Sequence, residues 1–441
     1  MEHGLDTEVL VVVSSCVVLW ALVSGLVARW SVSAPLAFVV LGLVVTHGPV
    51  RLVQINPHSS TILSLAEVTL ALVLFTDASR VNIHQLRRDL GLPVRLLAVG
   101  LPLTIGFGTA VAFGVLPGIG IWVAASVGAI VAPTDAALGA AIMEDPRIPD
   151  RIRRLLNVES GLNDGIATPF VNLFLAGAVS TEATHATGLV PAVRELLVGA
   201  GVGVGVGLVG GWLLTRAVAA GWSAAGFRPL VALGLALLGY GLALHWSGNG
   251  FVAAFLAGMS FGSVVRTGLE EVVLFAERVG GFLALMVWLI FGAVMVVPGF
   301  RAARWTDYVF AVLALTVLRM VPVALALVGS GLDRATVALV GWFGPRGLAS
   351  VVFGLIAFDE LDPEAANHVL SLVVVTVTLS VLAHGLTAGP LAARYGRFAA
   401  TLVDHRPEHH ATAPFRTRPS LEFRTPGTVP TGEVGGAGAP D

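Results

Sequence analysis

The chain contains no lysine, a single cysteine and three tyrosines in 441 residues. Charged side chains make up only 12% of it, against roughly 25% in an ordinary soluble domain. So little charge excludes a disordered chain or a nucleic-acid-binding surface as the main body of the protein. The lone Cys16 excludes an intramolecular disulfide and a cysteine-based zinc site. No imidazole or thiolate cluster points to a transition metal, and no cofactor is expected. Neither a GxGD nor an HExxH motif supports an intramembrane protease, so the protein is not read as an enzyme. A channel would want a Gly-rich filter signature, which is missing.

What remains is apolar. Hydrophobic residues make up 56% of the chain and the mean hydropathy is +0.86. Runs long enough to cross a bilayer recur along most of the length, which predicts an all-α polytopic membrane protein with about 13 spans. The first run covers roughly Val9–Ala28, the fifth Ile121–Ile142 and the sixth Leu155–Val179. The second, Pro35–Val45, and the ninth, Phe251–Ser263, are short. The 52 glycines suit close helix–helix approach. The acidic N-terminus and the length of the first run argue against a cleavable signal sequence. Residues 1–397 read as one membrane domain, and 398–441, rich in Pro, Thr, Arg and Gly, as a disordered tail.

Arginine placement predicts the orientation. With the N-terminus outside, the inner loops carry Arg80, Arg87, Arg88, Arg147, Arg151, Arg153, Arg154, Arg216, Arg228, Arg266, Arg334, Arg394 and Arg397. The outer loops carry Arg51, Arg194, Arg301 and Arg304, of which the last two have no physical account. The tail is then cytoplasmic, and the protein a multi-pass protein of the cell membrane.

Two spans are interrupted. The fifth contains Val131–Ala136 (VAPTDA) and the twelfth, within Ala335–Phe358, contains Phe343–Gly347 (FGPRG). Pro133 and Pro345 each remove a backbone donor and clash with the preceding turn. An inverted repeat of about 9–180 onto 230–392 pairs these two spans. Interrupted helices at matching positions of two halves point to a midplane ion site of a secondary transporter. Unwound backbone is tolerated at that depth only where protein or water surrounds it.

The acids sit beside these breaks. Asp164 lies inside the sixth span, where a carboxylate must face a cavity or a partner. Glu159 is five residues away and on another face, whereas Glu159 and Asn163 share one. Arg346, a permanent cation in mid-span, is the expected structural partner of Glu159. Asp164, with the Thr134 and Ser160 hydroxyls and freed carbonyls, offers a hard cation its oxygen ligands. A carboxylate that holds either a proton or a cation, but not both, yields antiport. Asp135 either ligates the ion or compensates the positive end of a half-helix. Arg319 needs a partner, with Asp135 one candidate. Asp77, closing the third span, either lines the inner funnel as a supporting residue or is a plain loop-edge acid. His245 and His384 read as interface residues near span ends. A cation channel and a proton-coupled carrier of another solute are the rival readings.

The motifs Pro133–Ala136 (PTDA), Glu159–Gly165 (ESGLNDG), Gly344–Gly347 (GPRG) and His384–Thr387 (HGLT) resemble the monovalent cation:proton antiporters of the NhaP and Na⁺/H⁺ exchanger type. The resemblance runs in order and spacing over nearly all but the tail. It implies electroneutral exchange of one Na⁺, or Li⁺ or K⁺, for one proton, by elevator-type alternating access in a homodimer. It implies that Asp164 binds the ion or proton, that Asn163 replaces a second Asp of electrogenic relatives, and that Glu159 pairs with Arg346. Thr134 and Asp135 are implied to lie where the fifth span unwinds. One departure stands out: many microbial members carry a Glu-Gly pair near the end of the third span, where this chain has Phe75-Thr76-Asp77-Ala78.

Overall fold

The computed structural model describes residues 7–28, 33–48, 59–81, 91–116, 118–182, 189–265, 267–403 and 406–410. Arg51, Arg87, Arg88 and Arg266, and the tail from 411 on, lie outside these. Everything regular in the described residues is helical. In chain order the helices are α1 (Thr7–Ala28), α2 (Ala34–His47), α3 (Ser60–Ser79) and α4 (Gly91–Val115). Then come α5a (Ile121–Ile130), α5b (Ala140–Met143), α6 (Asp150–Glu182), α7 (Leu189–Ala219), α8 (Pro229–His245) and α9 (Gly250–Val264). The last group is α10 (Leu269–Ala302), α11 (Trp305–Ala326), α12a (Arg334–Trp342), α12b (Leu348–Glu360) and α13 (Pro363–Ala399).

Among the described residues nine helices are long and apolar enough to cross a membrane, and α2, α5a and α9 are shorter apolar helices. Helices α1 and α7 turn large apolar side chains outward, Leu22, Leu197 and Trp212 among them. Surface of that kind belongs against lipid rather than water. The main apolar core runs through α2, α3, α4, α5a, α6, α10, α12b and α13. A second cluster closes one end, where Ile152 and Leu155 of α6 meet Leu339 of α12a and Tyr395 of α13.

Glycine sets the tightest seam. The run of alternating Gly and Val in α7 presents Gly199, Gly203 and Gly207 to the backbone of α9 at Asn249, Ala253 and Ala257. Gly201 and Gly205, between them, face open space. Only the four-residue repeat is used, because i and i+4 share a helix face. On its other side α9 lays Gly258 and Gly262 on the carbonyls of Phe75 and Ser79 in α3. A methyl group at either position would collide with main chain, so α3 and α9 approach to backbone contact.

Two helices stop short at their prolines. α5a ends at Ile130, and regular helix resumes only at Ala140. α12a ends at Trp342 and α12b begins at Leu348, with Pro345 between. A third interruption divides α11 at Thr316, whose φ of −115° and ψ of −90° are not helical. No Pro or Gly marks it. Thr316 Oγ1 donates to Val312 O at 2.6 Å, a back-bond of the type that bends helices.

The C-terminal end departs from expectation. Helix α13 continues through Ala399, eight residues past the last apolar run. Residues 406–410, expected to be disordered tail, form a short 3₁₀ turn at Pro407–His409 that packs back on the bundle, with Glu408 fully buried. Its contacts explain the difference and are described below.

Candidate functional site

The α5 and α12 breaks cross each other in direct contact. The Asp135 amide donates to Pro345 O at 2.7 Å. The Asp135 carboxylate accepts from Leu348 N at 2.9 Å and from Ala137 N at 2.7 Å. Leu348 is the first residue of α12b, so the negative charge stands at the positive end of that half-helix. Of the two roles open to Asp135, this geometry is that of the helix-end compensator. Gly347 makes room for it: a Cβ there would overlap the Asp135 carboxylate.

The opposite charge mirrors this on α5a. The Arg346 guanidinium donates from Nη1 to Ala132 O at 2.9 Å and Pro133 O at 3.3 Å, and from Nη2 to Ala314 O at 3.3 Å. Ser350 Oγ donates to Ile130 O at 2.7 Å. Carbonyls at and just beyond the end of α5a are thus collected by α12. Their negative end faces a buried cation, the arrangement the helix dipole favours. Each break supplies the charge that the other needs.

The expected Glu159–Arg346 pair is therefore not formed. Glu159 pairs with Arg319 of α11, at 2.5 Å, and each side chain is 3% exposed. Arg319 correspondingly does not pair with Asp135. The reason is the assignment just described: Arg346 is committed to carbonyls and Asp135 to amides. Arg319 reaches the site because α11 is interrupted three residues before it. Its Nε would lie 2.5 Å from a Cβ at Gly344, and Thr134 Cγ2 would lie 3.0 Å from the same point. Gly344 thus lets Arg319 and Thr134 approach across the α12 break.

Next to this crossing lies a chain of neutral polar groups. Asn163 Nδ2 donates to Thr134 Oγ1 at 2.5 Å, and Thr134 Oγ1 lies 3.1 Å from Ser160 Oγ. All three residues are buried. They tie α6 to the unwound part of α5. Ser160 and Asp164 are one turn apart, so the hydroxyl and the carboxylate share a face of α6. Gly161 lies on that face too, and a Cβ at Gly161 would stand 3.9 Å from Asp77 Cβ. Asp77 of α3 therefore adjoins the face that carries Asp164. Asp164 itself is partly exposed, and Thr168 Oγ1 donates to its backbone carbonyl at 2.8 Å.

The structure thus brings together Thr134, Asp135, Glu159, Ser160, Asn163, Arg319 and Arg346, with Asp164 and Asp77 on the adjoining face. Every neutral or anionic group named is an oxygen donor or an amide. Among the described residues no cluster of three or more His, Cys, Asp and Glu could hold a metal ion. The donor set suits a weakly held hard cation that must leave again.

Sequence reading missed part of the second layer. His384, read as an interface residue, is 1% exposed. Its Nε2 lies 2.9 Å from Trp342 O and its Nδ1 2.9 Å from Ser380 O. Thr387 Oγ1 accepts from Trp342 Nε1 at 3.0 Å. The two polar residues of the HGLT motif thus bolt the broken end of α12a to α13. Ser380 Oγ accepts from the Arg346 amide at 2.7 Å. Ser350 is a lone hydroxyl among apolar neighbours and Ser380 one of several in its run, and only the position of Ser350 one turn beyond Arg346 hinted at a role. His245, by contrast, is exposed near the end of α8, as an interface residue would be.

Residues 12–394 match the family model described as "Sodium/hydrogen exchanger, transmembrane". The chain is 22% identical over 364 residues to a K(+)/H(+) antiporter NhaP of Alkalimonas amylolytica, covering 81% of this chain and 61% of that protein. It is 24% identical over 381 residues to a Na(+)/H(+) antiporter ApNhaP of Aphanothece halophytica, covering 82% and 69%. A K(+)/H(+) antiporter NhaP2 of Shewanella sp. strain MR-4 is 23% identical over 381 residues, covering 85% and 65%. The chain thus spans less than two thirds of the length of the K(+)/H(+) relatives named here. Its fold is similar to that of the sodium proton antiporter MjNhaP1 from Methanocaldococcus jannaschii at pH 8. The TM-score is 0.72 at 19% identity, covering 88% of this chain and 99% of that one.

Proposed function

Because the chain belongs to the sodium/hydrogen exchanger family, we propose that it is a secondary antiporter that exchanges a monovalent cation for a proton. The observation that carries this reading is the crossing of the two unwound segments beside Asp164. There the Asp135 and Arg346 charges answer the exposed helix ends, and Thr134, Ser160 and Asn163 line the approach.

Asp164 is the exchanging group. A cation displaces its proton, and a returning proton displaces the cation. Thr134 and Ser160 add neutral oxygen ligands, and Asn163 fixes Thr134. Asp77 shapes the adjoining wall. Because Asn163 bears no charge, one carboxylate releases one proton for one cation, and the cycle is electroneutral. Na⁺ is the first candidate, with Li⁺ and K⁺ as alternatives; the relatives' names include both Na(+)/H(+) and K(+)/H(+) antiporters.

The chain makes about 13 spans, with α5a/α5b and α12a/α12b as interrupted spans five and twelve of an inverted repeat. It resides in the cell membrane with its N-terminus outside, as a homodimer, and moves the site by an elevator-type step. Arginines at the end shared by α6 and α12a, Arg151 and Arg334 among them, support assigning that end to the cytoplasm.

Proton flux in proteoliposomes made with the purified protein tests the reading. Gradients of Na⁺, Li⁺ and K⁺ are imposed in turn, with and without a voltage clamp. Cation-dependent proton movement that ignores voltage is expected. Current without obligatory proton movement would overturn the proposal in favour of a channel.

A further inference from the structure

Glu408 is a fully buried carboxylate in a stretch whose composition reads as tail. Its Oε1 accepts from the Asp333 amide at 2.7 Å and from Thr336 Oγ1 at 2.9 Å. Asp333 is the N-cap of α12a, and its own carboxylate accepts from Ala335 N at 2.8 Å. Thr336 Oγ1 also meets Tyr395 OH of α13 at 2.9 Å. A second arm runs to α6, where Arg151 Nη1 donates to Pro407 O at 2.6 Å. Pro407 Cγ would stand 3.2 Å from a Cβ at Gly331, in the loop before α12a. His409 Nε2 lies 3.3 Å from Ala399 O at the end of α13.

These contacts join three elements at one end of the bundle. α12a has nine residues, about 13 Å of helix. His384 and Thr387 hold its broken end, beside Arg346. Glu408 and Tyr395 hold its other end. Arg151 lies on α6, the helix that carries Glu159, Asn163 and Asp164. A short half-helix on its own is marginal, so its placement comes from what grips it. An acid at its N-terminus also suits its dipole.

We infer that residues 406–410 are a latch fitted to the membrane domain, with Glu408 as a positioning residue that fixes α12a, and through it the crossing, against α6. The inference rests on the exchange reading for its effect on transport, but the latch itself is a structural statement. With Glu408 removed, that end of α12a keeps Tyr395 but loses the acid that joins Asp333 and Thr336. The crossing is then less often in register, and the cation binds more weakly.

Two readings on the full-length protein test this. Hydrogen–deuterium exchange compares native protein with Glu408→Ala, Glu408→Gln and Thr336→Val. Cation-driven proton flux in proteoliposomes gives KM and kcat for the same proteins. In Glu408→Ala, amides of 334–342 are expected to exchange at least tenfold faster, while those of 269–290 stay unchanged. KM for the cation is expected to rise at least threefold with kcat within twofold. Glu408→Gln keeps the accepting oxygen and is expected to stay within twofold of native. Should Glu408→Ala yield no folded protein, Thr336→Val, which removes the hydroxyl shared by Glu408 and Tyr395, supplies the same readings. Unchanged amide exchange at 334–342 in the variant measured would overturn the latch. Faster amide exchange with an unchanged KM would overturn the positioning role. A native protein that moves no protons would sink the exchange reading instead, and the amide comparison would still decide the latch.

Discussion

Glu159 of α6 and Arg319 of α11 form an ion pair 2.5 Å apart, each side chain only 3% exposed. Removing one partner of so buried a pair leaves the other charge without compensation. That typically costs about 3–5 kcal/mol. Glu159→Ala and Arg319→Ala should each lower the melting temperature in detergent markedly. The double variant should lose less than the sum of the two. Losses that simply add would show that the two side chains do not depend on each other.

Asp164→Asn is expected to abolish exchange while folding yield and melting stay near native. Amide and acid are close in size, and Asp164 is half-buried rather than sealed in the core. The sharper reading is ligand stabilisation. Cation that binds only the folded form raises the melting temperature with concentration. Native protein should show that rise and the variant should not. Normal exchange by Asp164→Asn would remove Asp164 from the site.

Gly347→Ala should be far more damaging than its size suggests. The added methyl group would overlap the Asp135 carboxylate and push it from the Leu348 amide. Forced overpacking of this kind costs about 1–3 kcal/mol. Gly205→Ala, on a face of α7 that meets nothing within 4 Å, is the matched control and should be neutral. Comparing the two by melting and by flux checks the crossing without touching a charged residue.

Thr134→Val keeps the shape but removes the hydroxyl that links Asn163 to Ser160. Leaving buried donors unsatisfied costs about 1–3 kcal/mol. The expected result is a higher KM for the cation with a modest loss of stability. Thr134→Ser, which keeps the hydroxyl, should restore both. If valine and serine behave alike, the hydroxyl is not part of the cation's path.

The breaks were legible because proline announces them: Pro133 and Pro345 cannot donate, and the helices end just before them. Thr134 and Ser160 were legible as oxygen ligands for a hard cation, and Asn163 through the family resemblance. The partner of Glu159 was not. Two buried arginines and two buried acids allow more than one pairing, and only the interruption at Thr316, which no Pro or Gly signals, brings Arg319 within reach. His384 was misplaced because the apolar run fades near Leu391, while the helix continues to Ala399 and buries the ring in mid-course. Glu408 could not have been found at all. Its neighbours in sequence are polar, and its burial depends on surfaces supplied by α6, α12a and α13.

The pairing at the crossing also bears on the membrane field. Asp135 and Arg346 answer opposite helix ends, and Glu159 and Arg319 answer each other. The formal charges of these four side chains sum to zero. Displacing one elementary charge through 100 mV involves about 2.3 kcal/mol. A neutral set displaced as one body does no such work, whatever the distance. In the proposed elevator step these four side chains therefore contribute no net charge movement, and the voltage dependence that remains comes from the acids outside the set and from what Asp164 holds.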